Sequence, residues 1–158
     1  MSFEKSQGRS GPMSFPVGQS ENVALQDQPD FSVAQSEVAE LVFDSAKHPA
    51  AAGLRASPAQ ARQLLYRLGT VCVDVCMQPE LGSQEIVLLG QLLDSQQPGR
   101  GMGDIPVSLL CEDRPISQNK TNAVGEFYFG FRALHGAQLV FGMTDHRKLI
   151  VPVPDMDA

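Results

Sequence analysis

The 158-residue chain has no tryptophan, only three cysteines, 6% aromatic residues and a charged fraction of 19%. So few cysteines speak against the disulfide framework on which small secreted domains rely. No apolar run approaches the ~18 to 20 residues of a membrane-spanning helix. Lys and Arg nowhere cluster and the net charge is −6. Phosphate contacts need grouped cations, so nucleic acid and anionic membranes are not expected as main partners. The N-terminus, "MSFEKSQGRSGPMSFPVGQSENV", has no apolar core of a cleaved signal peptide, so a cytoplasmic location is expected. What is present is a 42% apolar composition over a length suited to one domain with a tail.

Residues 1–38 differ in kind from the rest. Ser, Gly, Pro and Gln supply 18 of them, and the apolar residues between follow neither a helical nor a strand period. Without burial to offset ordering entropy, this segment reads as a flexible tail, with a domain over 39–158. A short helix carrying Val33, Val38, Leu41 and Val42 into the domain is the alternative for its end.

From Ala39 onward, short runs separated by turn signals follow one another, the pattern of a sandwich or barrel. The candidate strands cover 40–45, 70–78, 84–94, 104–112, 115–121, 125–131, 137–143 and 148–154. In "TVCVDVCMQ", Val71, Val73, Val75 and Met77 share one face, while Cys72, Asp74 and Cys76 share the other. "QEIVLLGQLLD" is apolar throughout, as a strand covered on both faces would be, and Gly90 inside it points to a bulge or a close backbone approach. "SPAQARQLLYRLG" supports two readings. Ser57, Pro58 and Gly69 are helix punctuation, whereas Leu64, Tyr66 and Leu68 alternate as in a strand.

The stretch "KTNAVGEFYFGF" holds a polar turn and then strict alternation. Asn122 or Gly125 suits a positive φ, and the strand that follows turns Phe127, Phe129 and Phe131 inward and Glu126 and Tyr128 outward. With "GMGDIPVSLLCEDRPISQN" before it and "LHGAQLVFGM" after it, this stretch resembles the carboxypeptidase regulatory-like domain over residues 86–153. The shared pattern is a Pro-Val strand, a variable hairpin, a Thr-Asn-x-x-Gly-x-Phe turn and a strand after a glycine. A resemblance to small stand-alone bacterial proteins of this type extends back through "LVFDS" and "RQLLYR", and there the latter run is a strand. The resemblance implies an all-β, transthyretin-like (prealbumin-like) Greek-key β-sandwich of about seven to nine strands. It also implies a non-catalytic module that binds, props or connects, in a bacterial regulatory or signalling system.

The residues that hint at chemistry also have plainer roles. On a strand Cys72 and Cys76 stand about 13 Å apart, too far for one disulfide or one zinc. They read as reduced thiols, with a pairing of Cys111 to either as the alternative. "PGRGMGD" echoes a phosphate-cradling loop, but "IPVSLL" follows it where a helix would have to open. His48, His135 and His146 are scattered, without ligand spacing. The ending "VPVPDMDA" lacks the Tyr-Arg-Gly-Ser of a transthyretin-like purine hydrolase. No catalytic residue, metal or cofactor is therefore expected. The core is expected at Val73, Val75, Val107, Leu109, Phe127, Phe129, Phe131 and Phe141. Candidate binding residues are Tyr128, Arg132, Asp145, His146 and Arg147, the last three on the polar hairpin tip "TDHRK". The expected partner is a protein met through sheet edges or loops, with self-association through exposed edges as a further possibility. The alternative is a cell-envelope module that binds a ligand such as carbohydrate or is purely structural.

Overall fold

The computed structural model of the chain describes residues 35–48 and 61–156. The expected tail, apart from its last four residues, and the helix-punctuating Ser57 and Pro58 lie outside them. Among the described residues there are ten strands and one short 3-10 helix, Ser45–Lys47. The strands are β1 Ser36–Val38, β2 Glu40–Asp44, β3 Arg62–Leu68, β4 Val71–Pro79, β5 Glu85–Asp94, β6 Pro106–Cys111, β7 Arg114–Lys120, β8 Glu126–Arg132, β9 Ala137–Gly142 and β10 Lys148–Pro152. They form two five-stranded sheets, β1-β10-β9-β6-β7 and β2-β3-β4-β5-β8. The fold is all-β and sandwich-like.

Two sequence expectations change. Among the described residues there are ten strands instead of about seven to nine, and the extra one, β1, lies inside the segment read as tail. β1 runs parallel to β10, with Glu37 opposite Leu149. Three residues carry too little pattern to signal a strand, and this one exists because β10 offers an open edge. The short helix suggested over Val38, Leu41 and Val42 is likewise replaced by β1 and β2. Between these strands the chain passes from one sheet to the other at the buried Ala39. The run from Arg62 to Leu68 is a strand paired along its whole length with β4.

The inner faces follow the alternation. Leu64 and Tyr66 of β3, Val73, Val75 and Met77 of β4, and Phe127, Phe129 and Phe131 of β8 are buried. From the other sheet, Val107 and Leu109, Leu139 and Phe141, and Leu149 and Val151 meet them. All eight residues expected in the core are there. Gly90 marks a close approach without a bulge, since pairing runs unbroken through it to Val75 on one side and Phe127 on the other. The approaching group is the Phe127 ring. A Cβ on Gly90 would stand 2.1 Å from its Cζ, and the ring also packs against Phe141 in a T-shaped pair with centroids 5.2 Å apart and against Phe129 at 6.4 Å.

Polar ties, one between the sheets and one within a sheet, sit toward the strand ends. The buried Tyr66 hydroxyl donates to the Pro152 carbonyl across the sandwich, and burial pushes its phenol up to about 12. Arg62 grips the buried Asp44 with two bonds, Nε to Oδ1 at 3.0 Å and a second guanidinium nitrogen to Oδ2 at 2.7 Å. Asp44 also accepts from the Ala46 amide and so caps the 3-10 turn. The Arg62 hydrogen bonds hold its carboxyl below the ordinary aspartate range.

Gly90→Ala should cost about 1–3 kcal/mol, because the added methyl overpacks a filled core, and Phe127→Ala about 3–5 kcal/mol through the cavity it leaves. Urea midpoints test both. Because the Asp44 pKa is depressed on folding, its contribution is present above the ordinary aspartate value and is lost as pH falls below about 4. Asp44→Asn should therefore cost about 1–3 kcal/mol at pH 7. The gap to wild type should close in acid, which melting temperatures recorded from pH 7 to 3 would show.

Candidate functional site

The outer face of the β2-β3-β4-β5-β8 sheet is the most chemically varied surface among the described residues. The apolar run in β5 suggested cover on both faces, yet Leu89 is 48% exposed, since no further layer of the described residues packs there. Side chains meet on this face in cross-strand rows. One row holds Gln63, Cys76, Leu89 and Tyr128, and the next holds Leu65, Asp74, Gln91 and Glu126. With Asn119 and Lys120 from the end of β7, the residues of these rows other than Leu65 line an open groove of about 720 Å³.

One wall of the groove is built by the turn that made the sequence legible. Gly125 takes φ +83°, and a Cβ there would stand 2.3 Å from the Leu92 carbonyl, so both dihedral and space require glycine. Asn122 Oδ1 accepts from the amides of Val124 (3.1 Å) and Glu126 (2.9 Å), and its Nδ2 donates to Glu126 Oε2 at 2.9 Å. The buried Thr121 hydroxyl accepts from the Ile105 amide at 2.9 Å and donates to the Met102 carbonyl at 2.7 Å. The "PGRGMGD" loop is thereby fastened to the turn, and three of its backbone donors are used within the fold. Met102 donates to Leu92, Asp104 to Thr121 and Arg100 to Gln97.

The five residues expected to bind fall in three places. Tyr128 is in the groove and half exposed. Arg132 lies at the far end of β8, opposite Glu85. Asp145, His146 and Arg147 form the β9–β10 turn, where His146 takes φ +62°. There Arg147 is paired with Asp145 and, at 3.0 Å, with Glu37 of β1. Its hydrogen bond holds the Asp145 carboxyl below the usual range. The cation of the hairpin tip is thus already engaged within the fold. His135 pairs with Asp155 at 2.8 Å, and His48 stacks on Phe43 with ring centroids 5.3 Å apart.

Cys72 and Cys76 are half-buried on the outer face of β4, and Cys111 belongs to β6 of the other sheet, where its thiol contacts the His135 carbonyl at 3.2 Å. Among the described residues no three of His, Cys, Asp or Glu converge as metal ligands. No described helix is long and apolar enough to cross a membrane. The sequence reading put Asp74 and Glu126 on outward faces but passed over Gln63 and Gln91. Alternation names a face, whereas strand register decides which residues of different strands stand side by side.

No protein family, curated protein or solved structure matches this chain.

Asn122→Ala removes the acceptor shared by two turn amides. It should lower stability by about 1–2 kcal/mol, read as a shift of the urea midpoint with an unchanged slope.

Proposed function

We propose that this chain is a non-catalytic recognition module that takes a protein partner along an open sheet edge. It would be a transthyretin-like Greek-key sandwich of the carboxypeptidase regulatory-like kind, acting in a bacterial, cytoplasmic regulatory or signalling system. The observation that carries the reading is β7. Every residue of Arg114–Lys120 is exposed, and the strand has a ladder partner on one side only, β6. Ile116, 49% exposed, adds an apolar side chain to that open edge. An unpaired row of backbone amides and carbonyls is a template for a strand supplied by another chain, with main-chain bonds giving affinity and side chains such as Ile116 giving selectivity. Pro115 confines the usable stretch to the residues after it, because it has no amide to offer. A second copy of the chain would use the same edge, and sedimentation separates that case from a foreign partner.

The reading is tested by blocking the edge. Ile116→Lys combined with Gln118→Pro, at a position whose amide faces the open edge and not β6, should leave the far-ultraviolet circular dichroism spectrum intact. It should abolish co-purification, from the native host, of a protein that wild type retains. If the variant retains every protein that wild type captures, β7 is not the binding edge.

A further inference from the structure

We infer that the groove on the outer face of β3-β4-β5-β8 is a binding site for a neutral saccharide. Tyr128 would be its stacking platform and the Asp74-Gln91-Glu126 row its hydroxyl acceptors. The inference stands apart from the edge-binding reading, since it uses side chains on a sheet face and not the β7 backbone.

The platform is built by a glycine. Two residues beyond Tyr128 on the same face stands Gly130, where an added Cβ would come within 3.2 Å of Tyr128 Oη. The missing side chain lets the phenol lie along the strand and leaves the residue 50% exposed. A flat aromatic surface with a polar end, open to solvent, suits the C–H face of a pyranose ring.

The acceptors are fixed in advance. Asp74, Gln91 and Glu126 are direct cross-strand partners, so they stand one strand spacing apart, about 4.8 Å. Gln91 Nε2 donates to the Val124 carbonyl at 2.9 Å, which turns its own oxygen outward. Glu126 is held through Oε2 by Asn122, and Asp74 receives only a long contact of 3.4 Å from Gln63 at Oδ1. The second carboxylate oxygens of Asp74 and Glu126 and the Gln91 Oε1 make no hydrogen bond among the described residues. A row of oriented oxygens calls for a ligand that brings several donors along one edge, as a sugar's hydroxyls do. Lys120, at the rim, supplies a complementary donor. Two carboxylates beside the platform repel phosphate, sulfate and uronate groups, which excludes acidic saccharides.

The experiment uses the full chain with soluble neutral hexasaccharides of glucose, mannose, xylose and N-acetylglucosamine. Binding is followed by saturation-transfer NMR and by tyrosine fluorescence. The chain has two tyrosines and no tryptophan, and Tyr66 is buried, so a ligand-induced fluorescence change reports Tyr128. At least one sugar should bind. Tyr128→Ala should weaken it by about tenfold or more at an unchanged melting temperature, while Tyr128→Phe, which keeps the ring, should stay within about threefold. Asp74→Asn should weaken it without affecting binding at the β7 edge, and the β7-edge variant should bind sugar as wild type does. The inference is overturned if none of the sugars binds, if Tyr128→Ala binds as tightly as wild type, or if an extended peptide and no sugar perturbs Tyr128.

Discussion

The two sheets are joined on the groove side by a pair of crossovers that lie backbone against backbone, and much of the surface chemistry depends on that contact. The chain leaves β5 for β6 through residues 95–105 and leaves β7 for β8 through 121–125. Thr121 bonds the last residues of the first segment, at Met102 and Ile105, while Leu92 of β5 receives the Met102 amide and donates to Gly125. A Cβ on Gly101 would fall 1.7 Å from the Val124 carbonyl. Main chains approach this closely only where side chains are absent, so the glycines flanking both crossovers serve packing. With the crossovers locked, β8 is aligned on β5, Glu126 stands beside Gln91, and the start of β8 becomes a groove wall.

Glycine and aromatic residues are paired on both faces of β8, with opposite effects. On the inner face Phe127 fills the space left by Gly90 on the neighbouring strand, which converts a weak position into a packed one. On the outer face Tyr128 lies over Gly130 of its own strand, with solvent above it. The first arrangement contributes stability. The second leaves an aromatic surface that contributes little to the fold, which is what a recognition surface needs. The charged ties are kept away from this face. Asp44 with Arg62, and Arg147 with Asp145 and Glu37, sit at strand ends, where they close the edges formed by β1 and β2.

The sequence by itself determined the class of the fold and the sidedness of its strands. Strand alternation has a period of two residues, so "FYFGF" and "VCVDVCM" declare their inner and outer faces without reference to anything distant. The turn at Asn122 and Gly125 was equally local. Tertiary structure decided what depends on pairing between segments far apart in the chain. β1 is a strand because β10 accepts it, Arg62–Leu68 is a strand because β4 pairs with it, and β5 is open on one face because nothing described covers it. The row of Asp74, Gln91 and Glu126 exists only once two registers are set. Shifting either by two residues would keep every side chain on its own face and yet break up the row, and no local pattern in the three segments excludes that shift.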